Sequence, residues 1–232
     1  MKGILLSAGY GTRLAPLTNT VPKCLVPIQG KPLLDYWLDM LFPHHLEKVL
    51  INTHYLPKIV EQYISSHRYS PNIEIVFEEQ LLGTAGTLLE NQSFFCGDDF
   101  FVAHADNLTK FDVKSFISAH QNRPKYVEIT MMTFETDSPS SCGIVETNSN
   151  GVVINFHEKV KNPPSNLANA AVYIMSSAVL DSIAKFKKNY IDISVDVLPR
   201  FLGKIQTFHN NQYHRDIGTT ESLFLANNEF NQ

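Results

Sequence analysis

The sequence predicts an α/β fold: a doubly wound, mixed and mostly parallel sheet with a small, partly antiparallel lobe. Short apolar runs alternate with helical-period segments through the first half, hairpin-spaced runs follow residue 125, and a glycine-containing loop comes directly after the first run. "KGILLSAG" (2–9) and "KVLINTHY" (48–55) are rich in Ile, Leu and Val and end in small or polar residues, as buried parallel strands do. Between them "LLDYWLDML" (33–41) repeats apolar residues at helical spacing, and "PKIVEQYISSH" (57–67) places Pro57 in a first helical turn. "NIEIVFEE" (72–79) and "DFFVAHAD" (99–106) continue as strands, with helices expected at 84–91 and at "DVKSFISAHQ" (112–121).

After residue 125 the pattern changes. "YVEITMMTFE" (126–135), "CGIVETN" (142–148) and "GVVINFHEK" (151–159) are strands separated only by turns, and Asn150-Gly151 suits a tight hairpin. "LANAAVYIMSS" (167–177) adds a strand and residues 178–187 a helix. "ISVDVLPRFLG" (193–203) reads as a helix stopped by Gly203, and a strand at 204–210 precedes a helix from about Thr219. No linker, low-complexity stretch or repeat interrupts the chain, so residues 1–232 read as one domain.

With 232 residues and 44% hydrophobic content the chain can bury a substantial core. Its 19 basic and 23 acidic residues give a formal charge of −4 with no basic stripe, which argues against nucleic acid as a partner. No charged leader precedes a long apolar segment, and no run approaches the ~18 apolar residues of a spanning helix, so a cytoplasmic protein without a membrane partner is expected. Cys24, Cys96 and Cys142 are odd in number and widely spaced, which suggests ordinary reduced thiols. The nine histidines form no zinc pattern and read as surface or satisfied polar groups.

The chemistry concentrates in "LSAGYGTRLAPLTNTVPK" (6–23). A dinucleotide fingerprint fails here because Leu14 stands where the third glycine is needed, and no P-loop exists because Gly30-Lys31 is followed by Pro32. Prolines 16, 22, 27 and 32 forbid one continuous helix, so the loop must wrap. Ser7, Ala8, Gly9 and Gly11 let main-chain N–H groups approach an anion, while Arg13 adds a bidentate charge and Lys23 a point charge. Those are the parts of a polyphosphate clamp; a surface loop with two solvated charges has the same composition.

"AGYGTRLAPLT…PK" resembles the signature of the sugar-1-phosphate nucleotidyltransferases. "LLGTAGTL" (81–88), "HAD" (104–106), "FHEKV…LANAAVY" (156–173) and "YHRDIGT" (213–219) follow in that family's order, covering essentially the whole chain. The resemblance implies a Rossmann-like nucleotidyltransferase fold, with about 1–125 as the nucleotide-binding half and about 126–232 as the sugar-phosphate-binding half. It also implies a reaction in which a sugar 1-phosphate oxygen attacks the α-phosphorus of a nucleoside triphosphate and releases pyrophosphate. Two anions must then be aligned and their charge offset. By resemblance Asp106 and Asp216 bind Mg²⁺, Arg13 and Lys23 hold the triphosphate, and Lys159 holds the sugar phosphate. Glu158 bonds sugar hydroxyls, Gly143 and Asn169 contact the sugar, and Ser7, Ala8, Gly9, Gly11 and Thr12 line the phosphates. Gly83, Thr84 and Gly86 meet the nucleobase with Glu79 or Gln80 nearby.

Each position also has a plainer reading. Asp106 can finish a strand, Asp216 can sit in a turn, the glycines at 83 and 86 can mark a tight turn, "HEK" can be an exposed strand end, and Asn169 can be a satisfied polar residue. The family's proline after the lysine is Val160 here, and Ala105 stands where relatives often carry glycine. The motifs look most like the mannose-1-phosphate guanylyltransferase branch, so GTP with a manno-configured sugar 1-phosphate is the first expectation. Uridylyl, thymidylyl or cytidylyl transfer to another sugar phosphate or phospho-alcohol is the alternative. A non-catalytic nucleotide-sugar sensor is a reading of another class, opposed by the presence of Arg13, Lys23, Asp106, Lys159 and Asp216 together. With sixteen residues after Asp216, no C-terminal β-helix and hence no acetyltransfer is expected.

Overall fold

The computed structural model describes residues 1–42 and 45–230. In chain order the elements begin with β1 (Lys2–Leu6), the short β2 (Pro27–Ile28) and β3 (Lys31–Pro32), α1 (Leu33–Leu41), β4 (Lys48–Thr53), α2 (Pro57–Ser65) and β5 (Ile73–Phe77). They continue with α3 (Thr84–Glu90), β6 (Phe100–His104), β7 (Asn107–Lys110), α4 (Val113–Gln121), β8 (Ile129–Glu135), β9 (Gly143–Thr147) and β10 (Val153–Glu158). The last are β11 (Leu167–Met175), α5 (Ser177–Ile183), β12 (Ile205–His209), β13 (Tyr213–Asp216) and α6 (Thr220–Glu229). The α/β class and mixed sheet are as expected. The chain forms two compact units, one of Met1–Leu81, Ala103–Val113 and Gln212–Gln232, the other of Leu82–Val102 and Lys114–Asn211.

In the first unit β1 pairs in parallel with β4, and β4 with β5. The interior of β1 is buried, as its unbroken apolar run requires. Beyond β6, the Ala105 N–H donates to the Leu6 carbonyl, which lays this segment along the end of β1. β7 and β13 form a separate antiparallel pair in which Asp216 opposes Asn107. The Ile217 N–H then donates to the Asp106 carbonyl. Behind these segments lies a cluster of Leu14, Val26, Ile28, Leu33, Tyr36, Leu108, Ile217, Ala226 and Phe230. Leu14 follows Arg13 and Ile217 follows Asp216, so burying these two apolar neighbours leaves the adjacent charged side chains to point elsewhere. Trp37 of α1 adds a hydrogen bond from Nε1 to the Asn107 carbonyl at 2.8 Å.

The second unit is more antiparallel. β8 pairs with β11 and β9 with β10 in antiparallel fashion, while β12 joins β8 in parallel. The hairpin between β9 and β10 turns at Gly151, whose φ of 72° is the left-handed region glycine occupies without strain. The helix expected over 193–203 is instead a π-turn at Ile193–Val197 followed by a 3₁₀ turn at Leu198–Phe201. Pro199 supplies the reason, since it lacks the N–H that the α ladder needs. The helix expected to reach residue 187 stops at Ile183.

Because Ile217 is fully buried in the cluster beside Asp216, Ile217→Ala should lower stability by about 3 kcal/mol. Phe224→Ala, removing a side chain that is 67% exposed on α6, should stay within about 0.5 kcal/mol of wild type. Urea unfolding of both variants checks the contrast.

Candidate active site

Lys23 is the focus. A 3₁₀ turn over Lys23–Leu25 buries it, and its Nζ lies 2.6 Å from Asp106 Oδ2 and 3.3 Å from Asp216 Oδ1. The lysine side chain is only 9% exposed, against 35% for Asp106 and 54% for Asp216. An ammonium group out of water requires compensation, and two carboxylates supply it. Burial pulls the Lys23 pKa down, but the Asp106 and Asp216 charges and hydrogen bonds outweigh it, so the net shift is upward. For Asp106 burial pushes upward, while the charges of Lys23 and His104 and the hydrogen bonds it accepts hold it below its ordinary value. Arg13 Nη2 stands 3.7 Å from Asp216 Oδ2, a loose and exposed pair of little energetic weight. Two cations and two acids from three separate stretches therefore meet within one unit.

Glycines make room for this. A Cβ on Gly11, whose φ is 65°, would crowd Thr18 Cγ2 at 3.0 Å and Lys23 Cβ at 3.2 Å. One on Gly218 would lie 2.5 Å from Asp216 Oδ2 and 2.6 Å from Arg13 Nη2. Thr18, 2% exposed, donates from Oγ1 to the Gly11 carbonyl at 2.8 Å and ties the loop to itself. Ala8 is buried, Gly9 has open space around it, and Thr12, Glu79 and Gln80 are exposed. Ser7 turns inward: its N–H donates to Asn52 Oδ1 at 2.8 Å and its hydroxyl to the Asn52 carbonyl. Asn52 was not foreseen, because nothing in "KVLINTHY" marks one polar residue of a buried strand as a loop anchor.

The remaining expected residues lie in the second unit. Gly83 has φ 79° and sits so close to the main chain of Ile191 that a Cβ would come within 2.4 Å of its carbonyl oxygen. That carbonyl accepts the N–H groups of Ala85 and Gly86, and the Ile191 N–H returns to the Leu82 carbonyl. Thr84 Oγ1 accepts from the Ile193 N–H at 2.7 Å and donates to Asp192 Oδ2 at 3.1 Å. The Gly86 N–H and the Thr84 hydroxyl are thus engaged by the 191–193 segment, which the sequence reading did not connect to this turn. Asp192, which also caps Ser194 and Val195, went unnoticed for the same reason.

Gly143 opposes Glu158 across β9 and β10, and a Cβ there would stand 2.7 Å from Glu158 Oε2. Lys159 carries φ 49°, donates its N–H to the Cys142 carbonyl, and brings Nζ to 3.4 Å from Glu158 Oε1. Asn169 sits where the pairing of β11 with β8 shifts register. It donates to the Tyr173 hydroxyl at 2.7 Å and accepts from the Ala171 N–H, whose residue has φ 53°. Gly143, Glu158 and Lys159 are brought together, with Asn169 in the same unit.

The Nucleotidyl transferase family pattern matches residues 2–232. The chain belongs to this family. It is 31% identical over 216 residues to a UTP–glucose-1-phosphate uridylyltransferase of Synechocystis, covering 87% of this chain and 55% of that protein. A mannose-1-phosphate guanylyltransferase of Mycobacterium tuberculosis is 30% identical over 225 residues, covering 95% of this chain and 62% of the relative. The chain thus spans a little over half the length of the curated relatives it matches. A solved UDP-glucose pyrophosphorylase in complex with UDP-glucose superposes with a TM-score of 0.81 at 25% identity, covering 98% of this chain and 97% of that one. No helix among the described residues is long and apolar enough to cross a membrane.

Since the Asp106 carboxyl is held below its usual 3.8, it contributes stability that is present above about pH 4 and lost as pH falls through the lowered value. Asp106→Asn should therefore show a flatter stability profile than wild type between about pH 2 and 5. Parallel urea-unfolding profiles for the two proteins would contradict this.

Proposed function

We propose that this protein transfers a nucleotidyl group from a nucleoside triphosphate to a sugar 1-phosphate. An acceptor phosphate oxygen forms the new bond to the α-phosphorus, the bond to the β-phosphate oxygen breaks, and pyrophosphate leaves with the electron pair. The observation that carries the reading is the convergence of Asp106 and Asp216 on Lys23. Neither partner is needed as a nucleophile, and the chemistry asks for alignment and charge stabilisation.

Both carboxylates offer hard oxygen donors around one positive charge, which fits Mg²⁺, an ion usually held by one or two carboxylates and by phosphate oxygens. Asp106 and Asp216 would hold it, and when bound it offsets charge on the phosphates. Lys23 and Arg13 hold the triphosphate and stabilise departing pyrophosphate. In the second unit Lys159 and Glu158 are assigned to the sugar phosphate and its hydroxyls, with Gly143 and Asn169 beside the sugar. The engaged Thr84 and Gly86 leave the turn after Gly83 a part in shaping the base site through its fixed main chain. The guanylyltransferase among the relatives favours GTP with mannose 1-phosphate, while the uridylyltransferase keeps UTP with glucose 1-phosphate as the competing pair. Free cysteines accord with a cytosolic enzyme.

A pyrophosphate-release assay crossing four nucleoside triphosphates with a panel of sugar 1-phosphates should give turnover, greatest for GTP with mannose 1-phosphate. Asp106→Asn and Asp216→Asn should each lower kcat by about 100-fold or more, and chelation of divalent ions should abolish turnover. Background rates for every pair would refute the activity. Gly218→Ala, which intrudes on the exposed ends of Asp216 and Arg13 and not on the core, should lower kcat/KM about tenfold with stability within about 0.5 kcal/mol of wild type.

A further inference from the structure

We infer that the end of β4, through Asn52 and His54, is the positioning element that holds the glycine loop in the shape a triphosphate requires. The inference rests on the proposed nucleotidyl transfer at that loop and adds residues outside its charged machinery. Every group involved belongs to the Met1–Leu81 segment of one compact unit.

The first attachment is at Ser7. Asn52 is 3% exposed and accepts the Ser7 N–H at Oδ1, while its Nδ2 donates to Glu78 Oε1 at 2.9 Å. An N–H needs an oxygen and a carboxylate needs a donor, so both ends of the amide are fixed and the side chain has one orientation. Glu78, 6% exposed, is held in the same network.

The second attachment is at Tyr10. His54 Nδ1 lies 2.7 Å from the Glu78 carbonyl, which can only accept, so Nδ1 carries the proton. In the neutral ring Nε2 is then an acceptor, and Tyr10 donates its hydroxyl to it at 2.7 Å. The two rings meet edge to face at 5.2 Å, and Phe77 lies parallel to His54 at 6.5 Å.

Ser7 and Tyr10 bracket Ala8 and Gly9. Among the described residues, the main-chain N–H groups of Gly9, Tyr10 and Gly11 donate to no protein acceptor. A loop with two glycines would otherwise sample many shapes, and ordering it on binding would weaken affinity. Anchoring it at Ser7 and at Tyr10, on both sides of Gly9 and one residue before Gly11, removes that cost before the anion arrives. Asn52 and His54 act through the loop and take no part in bond making.

The test is steady-state kinetics on Tyr10→Phe, His54→Phe and the double variant. Each single change should raise KM for the nucleoside triphosphate about fivefold, the size of one net hydrogen bond, with kcat and KM for the sugar 1-phosphate within about twofold. The double variant should be no worse than the worse single one, because the Tyr10–His54 bond is already lost in each single variant and Tyr10→Phe removes nothing further once His54 is gone. Asn52→Asp should raise the same KM more strongly, since it sets a carboxylate against Glu78. Adding Glu78→Gln, which returns a donor opposite the new acceptor, should restore it. Multiplying effects in the Tyr10 and His54 pair, an unchanged KM, or equal losses for both substrates would overturn the inference while leaving the activity intact. A wild-type protein that turns over no substrate pair would overturn the activity and the inference together.

Discussion

A lysine ammonium removed from water and satisfied by two acids is the constraint on which the rest of this structure depends. Lys23 lies 83 residues from Asp106 and 193 from Asp216 in sequence, yet both reach its Nζ. Bringing such distant segments together costs loop entropy, and the pair of contacts alone does not repay it. A buried charge that loses a partner is strongly destabilising, whereas the intact arrangement contributes modestly. The triad therefore selects among packings more than it drives folding.

The apolar cluster behind it supplies the drive. Leu14 and Ile217 each sit directly beside a charged group, so the same burial that forms the core also helps set the direction of the chemistry. The β7–β13 pair completes the alignment by placing Asp216 opposite Asn107 and next to Asp106. Small residues then decide how closely the parts approach, as at Gly11, where a single methyl group would crowd Thr18 and Lys23, and at Gly218, where it would collide with Asp216 and Arg13. In the second unit the same logic operates through main chain: Gly83 permits the contact with Ile191 that fixes the turn after it.

The regular elements were legible because their apolar spacing carries local information. β1 and β4 follow from unbroken apolar runs, and α1 and α2 from runs of period 3.6 and from Pro57. The hairpin of β9 and β10 was legible from Asn150-Gly151. Less legible was the 193–203 segment, whose helical pattern gave way at Pro199 to π and 3₁₀ turns. β7 and β13 left no clear signal, since each has four residues and finds its partner about a hundred positions away. Lys23, Asp106 and Asp216 stood out through short motifs, but Asn52, Glu78 and Asp192 did not. Their roles are hydrogen bonds made across the fold, and an amide or carboxylate in isolation has no signature for its partner.

By itself the sequence determined the α/β class, the wrapping of the loop from Gly9 to Pro32, and the charged residues available for anion chemistry. These follow from periodicity, from proline's missing donor and from side-chain charge, all properties of neighbouring residues. Tertiary structure alone decided which acids share Lys23, which way Ser7 and Thr84 turn their donors, and what anchors the glycine loop. Such choices depend on distances between segments far apart in the chain, where burial makes an unpartnered charge or amide too costly to leave and so dictates who meets whom.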